Sequence, residues 1–190
     1  QAGKSNLLSR LESIGMEIDS DDKRINTLLE IVKEKEFQGY SYDGAGASFE
    51  ILAKNVLDQV PNFFSVESYE VTIVGSKDNS SLSKANISIN VDDRIINSVG
   101  EGNGPVNALD NALRKDLGIY NEYIQDLILV DYKVRILDGG TEAITRVVIE
   151  SSDSKNQSWF TVGISPNIIE ASFEALMDSI NYKLIKSNIK

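Results

Sequence analysis

The apolar positions of the 190-residue chain follow two different periods, and the change falls near residue 62. Before it, Leu7, Leu8, Leu11 and Ile14 recur at helical spacing, with Ser5 placed as an N-cap and Gly15 as the residue that ends the helix. Asp19, Ser20 and Asp21 precede Ile25, Leu28, Leu29 and Val32, which predicts a second helix running to about Glu36. Gly39-Tyr-Ser-Tyr-Asp-Gly-Ala-Gly46 reads as a flexible aromatic turn. Phe49, Leu52, Ala53 and Val56 then form the stripe of a third helix that ends near Pro61.

Beyond residue 62 the period is two. Tyr69, Val71 and Ile73 alternate with Glu70 and Thr72, and Ala85, Ile87, Ile89 and Val91 alternate with Asn86, Ser88 and Asn90, the pattern of half-buried strands. Asp92-Asp93 turns the chain into a third strand, Arg94 to Val99. Gly100-Glu-Gly-Asn-Gly-Pro105 then opens a helix bearing Val106, Leu109, Ala112, Leu113 and Leu117, and Gly118 closes it. The same order returns: a strand from Leu129 to Leu137, a turn at Asp138-Gly-Gly140, a strand from Thr145 to Glu150, a polar hairpin over Ser151 to Ser158, a strand from Trp159 to Ile164, and a helix from Asn167 to about Leu184. At an offset of 63, Val106, Ala108, Ala112 and Leu113 fall on Ile169, Ala171, Ala175 and Leu176. The prediction is an α+β chain: a small helical subdomain over 1–61, then a domain over 62–190 built of two βββα repeats, about 63–120 and 127–186. Each repeat is expected to hold a three-stranded antiparallel sheet covered on one face by one helix.

Composition narrows the chemistry. Nineteen basic against twenty-nine acidic side chains give a net charge of -10, a field that repels phosphate backbones and anionic membranes, so neither nucleic acid nor a membrane is the expected partner. The chain has no histidine and no cysteine, which removes the commonest neutral-pH acid/base, thiolate chemistry, disulfides and the usual metal ligands. No apolar run approaches the roughly 18 residues of a membrane span, and the first residues lack the plan of a signal peptide, which points to the cytoplasm. A start without methionine points to a fragment or a processed product.

The strongest local motif is Gly100-Glu-Gly-Asn-Gly-Pro105. Glycines let backbone approach a ligand, and a helix start offers free N–H groups to an anion such as a carboxylate. A dinucleotide fingerprint is excluded, because Pro105 stands where its third glycine belongs and the preceding strands are not a βαβ unit. The same residues also suit a plain tight turn with Pro105 at the first helical position, and both readings stay open. Asp92-Asp93, Glu122, Asp126 and Asp131 share no spacing that demands one metal or acid/base site and read as solvated turns. Tyr40, Tyr42 and Phe49, and Trp159 with Phe160, read as core or interface packing, with the lining of a pocket as the alternative.

Four separated blocks carry a resemblance: Gly39 to Leu52, Gly100 to Leu113, Leu129-Val-Asp-Tyr-Lys-Val-Arg-Ile-Leu-Asp138 and Thr161-Val-Gly-Ile-Ser-Pro-Asn-Ile-Ile-Glu-Ala-Ser-Phe-Glu-Ala-Leu176. Together they resemble the C-terminal linker and regulatory region of citramalate synthases, in the wider 2-isopropylmalate and homocitrate synthase family. The resemblance implies a large acyltransferase that condenses acetyl-CoA with a 2-oxo acid, pyruvate for citramalate, in an N-terminal metal-dependent TIM barrel. A chain without histidine holds no counterpart of that barrel's ligands, so the divalent metal and acetyl-CoA belong to the parent and the fragment is expected to be inactive. The resemblance further implies a homodimer that binds the end-product amino acid at its interface: isoleucine for citramalate synthases, leucine for 2-isopropylmalate synthases. A purely structural dimerisation role is the remaining alternative.

Matching motif to motif, the resemblance assigns effector contacts to Gly102, Gly104, Val106 and Asn107 around the helix start. It also assigns Leu129, Tyr132 and Ile136 on the strand, and Ala143 and Thr145 bordering the Gly139-Gly140 loop. Asn107 departs from the acidic residue of a relative; its amide accepts from an ammonium but brings no charge. Leu129 and Tyr132 stand at positions of opposite parity on one strand, so a regular strand sends them to opposite faces. Gly15, the turn at 43–46 and Pro61 are the expected hinges between the helical subdomain and the rest.

Overall fold

The computed structural model describes residues 3–57, 59–137 and 143–189. Helix α1 (Lys4–Ser13) is followed by α2 (Lys23–Gln38), a single 3₁₀ turn (Tyr42–Gly44) and α3 (Gly46–Val56). Strands β1 (Ser65–Gly75), β2 (Ser81–Val91) and β3 (Arg94–Gly102) precede α4 (Pro105–Lys115), a 3₁₀ turn (Gly118–Tyr120) and the short α5 (Asn121–Ile124). Strands β4 (Ile128–Ile136), β5 (Thr145–Ser152) and β6 (Ser158–Ser165) lead into α6 (Ile168–Lys186). The two antiparallel sheets run β1-β2-β3 and β4-β5-β6, which is the duplicated α+β order expected from the pattern. The predicted turn at Asp138-Gly-Gly140 lies outside the described residues.

The chain divides into two compact units. One takes residues 1–60, 129–152 and 157–182; the other takes residues 61–128, 153–156 and 183–190.

In the first unit, Leu7, Leu11, Ile25, Leu28, Val32, Phe49 and Ala53 form a closed core. Ser5 does not cap α1: Gly3 is the N-cap and no side chain bonds the first turn. The far end of α1 behaves as its glycine predicts, because Gly15 at φ +80° lets its own N–H reach Glu12 O and that of Met16 reach Leu11 O. The cap of α2 is Asp22, one residue beyond the predicted acidic cluster, whose carboxylate accepts the Arg24 N–H. The aromatic turn is packed, with Tyr42 and Ala45 buried and Tyr40 stacked on Tyr42 at 5.9 Å.

The sheet of this unit is covered on both faces, where one covered face was expected. On one side of β5, Val147 and Ile149 are fully buried beneath α6, and Thr161 Oγ1 on β6 donates to Ala175 O. On the other side Val162 joins the core of α1 to α3, because cross-strand alternation gives it and Val148 the opposite face from Gly163 and Val147. Trp159 and Phe160 separate the same way: Trp159 is buried against Tyr182, and Phe160 is 41% exposed.

In the second unit β2 buries Ser83, Ala85, Ile87, Ile89 and Val91 against Leu109, Ala112 and Leu113 of α4. Asp92 and Asp93 at φ +52° and +59° form the two-residue turn between Val91 and Arg94, matched to the twist of the flanking strands. Strand β1 is less buried than its alternation predicts. It is the edge strand away from β3, on which α4 is seated, so Ile73 remains 58% exposed. Strand β3 runs past Val99 to Gly102, so half of the glycine motif is strand.

The reason is the approach of helix to sheet. A Cβ on Gly100 would stand 2.4 Å from Ala108 O and 2.3 Å from Ala112 N. At the 63-residue offset, a Cβ on Gly163 would stand 1.9 Å from Ala171 O and 3.1 Å from Ala175 N. Each repeat thus seats its helix backbone directly on one glycine, flanked by the alanine pair that the sequence repeat displays. Gly163→Ala is expected to cost about 2–3 kcal/mol, because the obstruction is backbone. Gly75→Ala, with nothing within 4 Å of the new Cβ, is expected to stay within about 0.5 kcal/mol. Urea denaturation of both variants checks the pair.

Candidate functional site

The residues assigned to an effector fall in both units, and each set is described within its own. In the second unit, Gly102 and Gly104 lead into α4. A Cβ on Gly102 would lie 2.2 Å from Asn107 Oδ1 and 2.7 Å from Ala108 N, so the first turn of the helix rests on this glycine. Gly104 faces open space and is the N-cap, with no side chain bonding the first-turn amides. Val106 is half-buried and Asn107 exposed. The start of α6 is different: Asn167 Oδ1 accepts from Ile169 N at 2.8 Å, and Ser165 Oγ accepts from Asn167 N at 3.0 Å. One helix start is closed by side chains and the other is left open, with its dipole end facing outward.

In the first unit, Tyr132 on β4 points toward α6, where its hydroxyl pairs with Ser172 Oγ at 2.9 Å. Leu129 is half-buried, Ile136 is 65% exposed, Ala143 is half-buried and Thr145 is buried opposite Ser165. Val130 and Ile136 share the parity of Tyr132 and are 52% and 65% exposed, which leaves an apolar stripe on an edge strand.

Asp126 is structural: it accepts from Ser154 Oγ at 2.7 Å and pairs with Lys183 at 3.2 Å, contacts that hold its carboxyl down at about 2. Asp110, a member of the buried face of α4, pairs with Arg114 at 2.7 Å, and burial pushes its carboxyl up against the pull of that guanidinium. Among the described residues no three Asp or Glu side chains come together as a metal site, and no helix is long and apolar enough to cross a membrane.

Sequence reasoning named Tyr40 and Tyr42 but not the polar cluster they join. A cavity of about 170 Å³ in the first unit is lined by Lys35, Tyr40, Ser48, Asn55, Glu174 and Asp178, among others. Ser48 Oγ donates to Asp178 at 2.7 Å and accepts the Val162 N–H at 2.9 Å, tying α3, β6 and α6 together. The Tyr40 hydroxyl donates to Glu174, and Lys35 Nζ lies 4.6 Å from the centre of the Tyr40 ring. Burial pushes Tyr40 and Tyr42 up. Burial foremost, and then the charge of Glu174, raise Asp178 to about 7, against the lowering effects of Ser48 and Lys35. Glu174 and Asp178 stand one turn apart on α6, a spacing visible in the sequence. Only the fold supplies the residues that bury them.

The architecture combines two βββα repeats, an open helix start and an apolar edge strand. Residues 43–184 match the LeuA allosteric (dimerisation) domain, and the chain belongs to that family. It is 46% identical over 191 aligned positions to the (R)-citramalate synthase of Geobacter sulfurreducens, covering 98% of this chain and 36% of that protein. It is 43% identical to the (R)-citramalate synthase of Aquifex aeolicus, covering 97% and 35%. Identity to the 2-isopropylmalate synthase of Ruminiclostridium cellulolyticum is 30% over 122 positions, covering 64% and 22%. The chain spans about a third of the length of the citramalate synthases it matches, and it is related to the regulatory domain of citramalate synthase family enzymes.

The cluster generates a pH dependence. Asp178 is raised from an ordinary carboxyl value of 3.8 to about 7, so its protonated form stabilises the fold and that contribution fades as pH climbs through this window. Asp126, held at about 2, acts oppositely and loses its contribution only in acid. Chemical denaturation at pH 5.5 and pH 8 is expected to show Asp178→Asn gaining on the parent by on the order of 1–3 kcal/mol as pH rises. A stability difference independent of pH contradicts the assignment.

Proposed function

We propose that this chain is the amino-acid-sensing region of a citramalate synthase. It acts as a cytoplasmic homodimer that binds isoleucine and feedback-inhibits the condensation of acetyl-CoA with pyruvate in a metal-dependent barrel outside this chain. The observation that carries this reading is the match of residues 43–184 to an allosteric dimerisation domain. A branched amino acid requires apolar walls, N–H donors for its carboxylate and an acceptor for its ammonium. In the second unit the uncapped start of α4 at Val106, approached through Gly102 and Gly104, offers donors, and Asn107 offers a neutral acceptor. In the first unit Leu129, Tyr132, Ile136 and Ala143 offer apolar surface, with Thr145 at its border. The 2-isopropylmalate synthase relative keeps leucine as the second candidate effector.

Calorimetric titration with isoleucine, leucine and valine tests the reading. At a hundredfold excess over the dissociation constant, isoleucine is expected to stabilise the fold by about 2.7 kcal/mol, a rise of roughly 5–10 °C in melting temperature. Asn107→Asp is expected to tighten binding by supplying the ammonium with a charge. Leucine preference moves the assignment to the second effector; absence of heat and shift with all three, from a folded dimer, defeats the sensor reading.

The dimer itself is assigned to the apolar edge of β4. Replacing Val130 and Ile136 together with lysine, at positions 52% and 65% exposed, is expected to yield a folded monomer by light scattering. A dimer unchanged in the double variant places the interface elsewhere.

A further inference from the structure

A second groove lies in the first unit, on the sheet face opposite Tyr132. It measures about 600 Å³, within the range of small-molecule sites, and its lining includes Ser41, Gly44, Val148 and Phe160 together with Lys133, Arg135 and Arg146. Cross-strand register fixes its floor. Arg146 and Val148 on β5 stand opposite Ile164 and Val162 on β6, on the face that leaves Phe160 41% exposed. Lys133 and Arg135 have the other parity from Tyr132, whose hydroxyl is held by Ser172 beneath α6, so they reach the same face as Arg146.

Three cations therefore converge on one apolar hollow in a chain of net charge -10. Arg146 is held in place, its Nη1 donating to Gly39 O at 3.1 Å. Lys133 is paired at 3.6 Å with Asp131, which shares its face, and its side chain remains 78% exposed. Arg135 forms no ion pair among the described residues. Glu150, cross-strand from Phe160, is the other carboxylate of this face and does not line the groove. Guanidinium groups present planar donor forks to carboxylate or phosphate oxygens, while Phe160 and Val148 accept an apolar body. An ammonium would meet three like charges here, so a zwitterionic amino acid is disfavoured against the same skeleton without its amine.

We propose that this groove binds a small organic anion, an apolar body bearing a carboxylate or phosphate and no ammonium, at a site separate from the residues assigned to the amino acid. The proposal stands independently of the effector reading, because none of the residues assigned to the amino acid lines the groove and its charge preference is the opposite one.

The test titrates the full 190-residue chain at low ionic strength, following amide signals by two-dimensional NMR. The probes are 3-methyl-2-oxopentanoate for the carboxylate, phenyl phosphate for the phosphate, and isoleucine, which differs from the first probe only in its amine. At low millimolar concentration at least one anion is expected to move the signals of Ser41, Gly44, Val148 and Phe160, and isoleucine is expected to leave them in place. The response to one anion over the other identifies the head group. The double variant Lys133→Gln with Arg135→Gln changes two exposed side chains and is expected to keep its melting temperature while weakening the anion by about tenfold or more. Added salt is expected to weaken it as well. The proposal is overturned if neither anion moves these signals, if isoleucine moves them equally, or if the folded double variant binds as tightly as the parent.

Discussion

The contact on which both repeats depend is backbone against backbone. Gly100 and Gly163 stand on the strand that follows the central one, each opposite a buried apolar residue of that strand, Ala85 and Val147. Above each lies a helix whose facing positions are alanines, Ala108 and Ala112 in one repeat and Ala171 and Ala175 in the other. No side chain separates the two backbones, so the spacing and height of the helix are set by main-chain atoms that cannot shift as a rotamer does. The position of each helix start follows. In the first repeat Gly102 continues the contact by two residues, and the first turn of α4 rests on it, so the open amides of that turn are held by the same seat that holds the helix.

The repeats diverge on the other face of their sheets. Strand β2 turns Asn86, Ser88 and Asn90 away from its helix, polar groups that remain compatible with water. Strands β5 and β6 turn out Val148 and Val162, and the core of α1 to α3 closes over Val162. A few valines in place of asparagine and serine thus decide which copy acquires a second layer. The apolar contact is reinforced at one point by the Ser48 hydroxyl, which satisfies the Val162 N–H and donates to Asp178. A buried bond of this kind costs little when both partners are present and a great deal when one is removed, so it fixes one arrangement of the helices more than it adds to stability.

The periods of the sequence reveal strand count, strand order and helix order because each element has one dominant apolar face. The duplication was legible from alanines and leucines at a fixed offset, yet its cause, the paired glycines at the same offset, was hidden inside a motif that resembled a ligand loop. Gly100 looks identical on paper whether it makes room for a ligand or for a helix; only the 2.4 Å at which a Cβ there would stand from Ala108 O distinguishes them. Local capping chemistry was ambiguous for a related reason. Ser5 and Asp22 both have capping side chains, and which of them caps depends on where tertiary packing starts the helix. The Asp178 cluster and the cationic groove were illegible because their members come from segments far apart in the chain, brought together by sheet register and helix packing.

Regulation by a ligand requires that it interact differently with two arrangements of the protein, and the packing limits which arrangements are available. A hinge in the aromatic turn is disfavoured: Tyr42 and Ala45 are buried, Tyr40 bonds Glu174 of α6, and Arg146 of β5 donates to Gly39 O. The helical segment and the second repeat share one core, so they respond together. A shift of α6 felt at Ser172 beside Tyr132 is passed along the same rigid helix to Glu174 and Asp178, whose partners are Tyr40 and Ser48 of the helical segment. The physical route from the strand that carries Tyr132 to residues 1–60 is therefore a packed helix with polar contacts at both ends. Coupling then depends on how α6 sits on Gly163, and the backbone seat that specifies the fold also limits the range over which the helix can carry a signal.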